Sequence, residues 1–147
     1  MSKKQDLEMV FAAIPTSGLK SLWQALRDDR VIRGRFVDGR GNGCLFHWLS
    51  EQEMVDRPSR MLWTTGNPLL TTAHDRAMRR IIVGWDAAEP EAIVKGAGYE
   101  HEYPAVRYIV RPKDVRRAIR NVMKVRREAN RLERAAEQAM KSRTAGI

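Results

Sequence analysis

Residues 112–142 read PKDVRRAIRNVMKVRREANRLERAAEQAMKS and carry the strongest structural signal in this chain. Pro112 suits the first turn of a helix and Asp114 is an early acidic residue. Neither proline nor glycine interrupts the segment from there to Ser142. At about 1.5 Å per residue, a helix of this length is a rod about 45 Å long. The sequence therefore predicts one long helix over 112–142.

One face of this predicted helix is apolar. Its heptad a and d positions are all apolar: Val115, Ala118, Val122, Val125, Ala129, Leu132, Ala136 and Ala139. Small residues near the end permit close approach of another helix but supply less burial. This favours a helix that packs on or projects from the chain's own core, with last turns that need a partner. A homodimer through this helix is the alternative.

The opposite face of the helix is basic. Of its eight c and f positions, seven carry Lys or Arg and the eighth is Gln138. We call these seven residues the basic face: Arg117, Arg120, Lys124, Arg127, Arg131, Arg134 and Lys141. Neighbouring like charges destabilise an isolated helix by about 0.2–0.5 kcal/mol per pair. A polyanion such as a phosphate backbone would relieve this repulsion.

Most of the chain's net charge lies in this segment. The whole chain is +9, and residues 111–147 hold 12 Lys/Arg against 4 Asp/Glu, which leaves +8 of that total there. Such clustering indicates binding to nucleic acid, RNA or DNA, or to an acidic protein. The remaining interpretation is a solvated or internally neutralised face. Carboxylates that could fold back onto it are Asp86, Glu89, Glu91, Glu100 and Glu102.

Three further helices follow from apolar residues at helical spacing. The first has a stripe that ends before Pro15: Leu7, Val10, Phe11 and Ile14. The second is predicted to be capped by Ser17 and repeats the spacing at Leu19, Leu22, Trp23 and Leu26. A third, capped by Thr71 or Thr72, runs to Asp86 with one face formed by Ala73, Ala77, Ile81 and Trp85.

The rest of the chain predicts a minor β element and connectors. Residues 31–37 are β-prone, residues 38–43 hold Asp-Gly and Asn-Gly turn signals, and residues 44–49 form an apolar run. Together they predict a β-hairpin over 31–49, although the second arm could equally be a buried helical turn. Residues 50–68 are interpreted as a loop with one short helix, and 96–104 as a connector. Residues 105–110 could be a short strand or another buried turn, and the strand is favoured. The fold class is mainly α: a helical core over 1–110, then the long basic helix.

Glycines 39, 41 and 43 indicate a turn, because the Gly-Lys-Ser/Thr ending of a phosphate-binding loop is missing. Around this turn, Arg33, Arg35 and Arg40 could form a second phosphate-contacting patch. Trp63, Tyr99 and Tyr103 are candidates for exposed stacking aromatics.

A metal or catalytic site is not favoured. Cys44, His47, His74 and His101 do not have the spacing of a zinc module. Cys44 lies in an apolar run without the features of an activated nucleophile, and the carboxylates are scattered. We expect no metal, no cofactor and no enzymatic activity.

The chain has 147 residues, 43% of them hydrophobic, which suits one domain. No apolar run approaches the roughly 20 residues that cross a bilayer, and the opening residues lack a signal-peptide core, so the expected location is cytoplasmic. The single Cys44 excludes a disulfide within the chain. The predicted function is non-catalytic nucleic-acid binding through phosphates. The alternative is a protein-interaction module that docks its basic helix on an acidic or nucleic-acid-handling partner.

Overall fold

The computed structural model describes residues 2–33, 38–51, 73–88 and 106–146. In these ranges the chain is mainly helical, as predicted, with two very short strands and a long C-terminal helix. The elements are α1 (Lys3–Ala12), α2 (Thr16–Arg27), β1 (Val31–Ile32), β2 (Gly43–Cys44), α3 (Leu45–Glu51), α4 (Ala73–Asp86) and α5 (Pro112–Ala145).

Several predictions fall outside the described residues. They concern most of the loop at 50–68, the connector at 96–104 and the helix caps at Thr71 and Thr72. The side chains concerned are Arg35, Trp63, Glu89, Glu91, Tyr99, Glu100, His101, Glu102 and Tyr103.

The α1–α2 pair matches the predicted helices, with one correction. Ser2 caps α1, because its side chain accepts a hydrogen bond from the Gln5 amide at 3.2 Å and its own amide donates to Gln5 Oε1 at 2.9 Å. The predicted Ser17 cap is wrong: α2 begins at Thr16, with Pro15 as the N-cap residue and no side-chain cap. Proline lacks an N–H and has a fixed φ, so it ends one helix and leads directly into the next.

The β element is real, but it is not the predicted hairpin. β1 and β2 pair in parallel, with Val31 opposite Gly43 and Ile32 opposite Cys44. The chain becomes helical directly after Cys44, because Leu45 and Leu49 recur at the i, i+4 spacing of a buried helix face. The predicted strand arm over 44–49 is therefore α3 from Leu45 onward.

The turn between the strands is present as predicted. The Asp38 side chain accepts hydrogen bonds from the amides of Arg40 (2.8 Å) and Asn42 (3.2 Å), and from Asn42 Nδ2 (2.8 Å). Gly39 and Gly41 have φ of 79° and 83°, the left-handed region that favours glycine. These hydrogen bonds lower the pKa of Asp38. They stabilise the turn.

The described residues just before α5, 106–111, form no strand, so the prediction of a short strand over 105–110 is wrong for its described part. Instead, the Val110 amide donates to Gly84 O of α4 at 3.0 Å. This close approach depends on the missing side chain at Gly84, where a Cβ would lie 2.6 Å from the Tyr108 carbonyl oxygen. The segment thereby fixes the start of α5 against α4.

Gly84→Ala should destabilise the fold by about 1 kcal/mol net, because forcing atoms into a packed site costs about 1–3 kcal/mol. Alanine would otherwise favour a helix interior by about 1 kcal/mol. Denaturant unfolding measures the change, with Gly146→Ala as the control. A Cβ at Gly146 meets its nearest atom at 3.4 Å. A Gly84→Ala variant as stable as the wild type would refute the contact.

The core lies where α1, α2, α3, α4 and the first half of α5 meet. Inside it, Asp6 of α1 is fully buried and accepts hydrogen bonds from Arg80 Nε (2.7 Å), Arg80 Nη2 (2.9 Å) and Tyr108 Oη (2.5 Å). Lys3 adds a link from α1 to α5, with Nζ 3.1 Å from Asp114 Oδ2. These bonds join α1 to α4, to Tyr108 and to the start of α5. Within the described residues, no helix has the length and apolar character that a membrane crossing requires.

Candidate nucleic-acid interface

Helix α5 is docked over its first half and exposed over its second. Its buried apolar residues are Val115, Ala118, Ile119 and Val122. From Arg127 to Gly146 every residue is exposed. The heptad seam that begins on the core therefore continues into solvent, where Val125 and Leu132 are 68% and 55% exposed.

Arg126 anchors α5 at the point where it leaves the core. Its guanidinium donates to Thr16 Oγ1 at 3.0 Å and to the carbonyl oxygens of Ala12 (3.1 Å) and Ile14. These carbonyls end α1 and form the turn into α2, where a cation is favourable. This anchoring role of Arg126 was not predicted from the sequence. Its e position beside the apolar seam was the available signal.

The basic face lies opposite the buried seam, as its spacing predicts, and all seven of its residues are exposed. Arg131 is paired with Glu128 of the same helix, at 2.6 Å between Nη2 and Oε1. The pair raises the pKa of Arg131 and lowers that of Glu128, but such an exposed pair contributes little to stability. Arg120 lies over the Trp23 ring, 5.5 Å from its centroid.

The other five cations of the basic face have no ion pair or hydrogen bond with any residue in the described ranges: Arg117, Lys124, Arg127, Arg134 and Lys141. Asp86, which might have folded back onto them, is instead buried at the end of α4. The first half of α5 also sits beside cations of other helices. Lys4 of α1 lies with Arg117 around a small pocket, and Lys20 of α2 lies near Arg120.

A groove of about 370 Å³ runs between α2 and α5. Its apolar lining is Leu19, Trp23, Ile119 and Met123, and its polar lining is Lys20, Gln24, Arg120 and Arg127. We call it the α2–α5 groove. Arg120 and Arg127 belong both to this groove and to the basic face, so the two surfaces are continuous. Trp23, which the sequence places on the apolar stripe of α2, is half-buried at the groove and packs against the core.

The structure places the described residues of the second predicted patch, Arg33 and Arg40, in different surroundings. Arg33 is half-buried, its guanidinium lies 4.2 Å from the Trp85 ring centroid, and its Nε donates to Trp85 O at 2.9 Å. Those contacts give Arg33 a role in joining the β element to α4. Arg40 is exposed at the turn. Arg33 and Arg40 thus differ in their surroundings, and phosphate contact at this turn stays a prediction.

The described residues contain no group of three His, Cys, Asp or Glu side chains arranged to hold a metal ion. Cys44 is buried in the core, beside the start of α3. The chain was also compared with protein-family models, curated proteins and solved structures, and nothing matches in any of the three. The fold and this surface define a mainly helical protein with a half-docked, basic C-terminal helix.

Proposed function

We propose that this protein binds nucleic acid without catalysis, through phosphate contacts along the basic face of α5. The observation that carries the proposal is the exposure of five cations on one helix side, none of which has an ion pair or hydrogen bond in the described residues. Successive c and f positions are about 5 Å apart along the axis, at 1.5 Å per residue. A strand of regularly spaced phosphates can meet such a row repeatedly.

Backbone contact is favoured over base-edge recognition by the chemistry of this face. Apart from Gln138, its c and f positions carry only Arg and Lys, and side chains such as Asn and Gln that pair with adenine are scarce there. Arg grips a phosphate with paired donors and Lys acts as a point charge. We expect the protein to bind nucleic acid in the cytoplasm, where the sequence predicts the chain to reside.

A titration of labelled duplex and single-stranded oligonucleotides, DNA and RNA, tests this function by fluorescence anisotropy at several salt concentrations. If five phosphates are neutralised on duplex DNA, the logarithm of the association constant should fall with the logarithm of salt with a slope of about −4.5. Absence of binding to every oligonucleotide at low salt would refute the proposal.

A second candidate function, a protein-interaction module, is favoured by the apolar stripe on the projecting half of α5. Val125, Leu132 and Met140 are 68%, 55% and 68% exposed. Large apolar side chains in a row on one helix side are typical of a surface that another helix covers. A parallel homodimer would set Glu128 of one copy opposite Glu133 of the other, and these like charges oppose it.

Leu132→Asp tests the stripe. If it pairs with a second copy, light scattering of the wild-type chain gives about twice the mass of 16.9 kDa, and the variant gives the monomer mass. Because Leu132 lies beyond the docked half of α5, the free energy of unfolding of the monomer should change by less than about 0.5 kcal/mol. If the wild-type chain is monomeric, the stripe does not pair with a second copy, and it then either contacts a different protein or has no partner.

A further inference from the structure

We propose that the α2–α5 groove receives an unpaired base, so that the nucleic acid bound by this protein is single-stranded. This inference rests on the function proposed above and specifies its ligand. In a duplex the bases are stacked and paired inside, whereas in a single strand they are free to stack on aromatic side chains. The groove adds to the basic face the one component that single-strand binding needs beyond charge.

The composition of the groove matches a base with its phosphates. Trp23 and Met123 give it half-buried apolar surface, while Lys20, Arg120 and Arg127 give it three cations. Among the described residues, no acidic side chain lines it. Its volume of about 370 Å³ lies in the range of ligand-binding pockets, about 300–1,000 Å³. A strand whose phosphates follow the basic face passes directly over it, because Arg120 and Arg127 belong to both surfaces.

Arg120 lies over the aromatic ring of the groove. Its guanidinium lies 5.5 Å from the Trp23 ring centroid, near the outer limit of about 6 Å for a cation–π contact. The residue is exposed. Rotation of this side chain away from Trp23 would uncover the ring for a base and bring the guanidinium to the adjoining phosphate. In the absence of nucleic acid, Arg120 covers the aromatic surface that a base would otherwise occupy.

An acidic peptide with an apolar side chain is the rival occupant, and continuity favours the base. A peptide would be held by the groove and its three cations, whereas a nucleic acid strand also uses Lys124 on the adjoining turn and the further Arg residues along α5. The row of cations extends well beyond the length of the groove.

The experiment compares an oligonucleotide of 12 nucleotides with an abasic strand of the same length and a duplex of the same sequence. Removal of the bases keeps every phosphate, so the abasic strand reports charge alone. We expect the wild-type chain to bind the intact strand at least about fivefold more tightly than the abasic strand, since stacking contributes about 1–3 kcal/mol per base. Trp23→Leu should remove this difference and leave binding to the abasic strand and its salt slope unchanged.

Trp23→Phe is the matched variant, and should retain most of the preference because it keeps an aromatic face. A measurement on the wild-type chain does not depend on the folding of any variant. Photocrosslinking with a 4-thiothymidine oligonucleotide followed by trypsin should label the peptide 21–27, which contains Trp23.

The outcomes separate the two proposals. Equal affinity for the intact and abasic strands, with no label in peptide 21–27, would overturn the base site and leave phosphate binding intact. No binding to any of the three nucleic acids would overturn both. Binding of an acidic amphipathic peptide that Trp23→Leu abolishes, with no binding of oligonucleotide, would assign the groove to a protein.

Discussion

Replacement of both Lys124 and Arg127 with alanine should weaken nucleic-acid binding about 25-fold for a single strand and about 60-fold for duplex DNA at 0.1 M salt. Each lost phosphate contact reduces the salt slope by about 0.7 on a single strand and about 0.9 on a duplex. Two contacts therefore lower the slope by about 1.4 or 1.8. Between 1 M and 0.1 M salt the logarithm of the salt concentration changes by one. The logarithm of the association constant at 0.1 M is therefore lower than that of the wild type by about 1.4 on a single strand and about 1.8 on a duplex.

The matched control exchanges the two residues, as Lys124→Arg with Arg127→Lys, which keeps both charges. It should keep the wild-type salt slope, although an Arg–Lys exchange can alter the paired hydrogen bonds to phosphate. Both residues are exposed, and neither has a hydrogen bond or ion pair in the described part of the chain. Thermal unfolding of all three proteins should coincide. Identical slopes for the alanine and the exchanged variants would remove these two residues from the interface.

The helices could be predicted because their signals are local. The stripe through Leu7, Val10 and Phe11 indicated α1, and all three are buried there, together with Asp6. The heptad register of α5 likewise placed its apolar seam and basic face on opposite sides. Periodicity fixes which side chains share a face, since residues three and four apart are neighbours on a helix. How far the seam stays covered depends on where α1 and α2 end, which no spacing within α5 encodes.

The failed predictions involve partners that are distant in the sequence or alternatives that local signals do not separate. The apolar run after Cys44 is compatible with a strand and with a buried helix. In the structure it is helical, with Leu45 and Leu49 buried in the core. In the sequence, Arg126 is one of the twelve basic residues of 111–147. In the structure it binds carbonyl oxygens more than 100 residues earlier in the chain. The buried hydrogen-bonding role of Asp6 was not predicted, because its partners Arg80 and Tyr108 are far from it along the chain.

The buried cluster around Asp6 yields the largest stability effect we expect. Asp6→Asn should lower the free energy of unfolding by about 3 kcal/mol. The variant leaves the charge of Arg80 with a neutral amide, and breaking a buried pair from one side costs about 3–5 kcal/mol. Arg80 is 26% exposed, so water compensates part of its lost contact and the lower end applies. Denaturant unfolding with linear extrapolation measures the difference.

The same cluster should make stability depend on pH. Burial alone would raise the pKa of Asp6, but the hydrogen bonds from Arg80 and Tyr108 and the charge of Arg80 outweigh it and lower the pKa. Burial, together with Asp6, raises the pKa of Tyr108, which therefore remains a hydrogen-bond donor. A carboxyl whose pKa is lower when folded stabilises the protein above its unfolded pKa of about 3.9, and loses this contribution as the pH falls through the folded value.

A double variant distinguishes a broken ion pair from general damage to the core. Asp6→Leu with Arg80→Leu removes both charges, and apolar replacement of a whole buried pair is often neutral or stabilising. It should be more stable than Asp6→Asn, and the acid-dependent loss of stability assigned to Asp6 should disappear in both variants. If Asp6→Asn costs less than 1 kcal/mol and unfolds with the wild-type acid dependence, Asp6 is not the charged centre that joins α1 to α4. The start of α5 would then depend on apolar packing, the Lys3–Asp114 pair and the hydrogen bond from Val110 to Gly84.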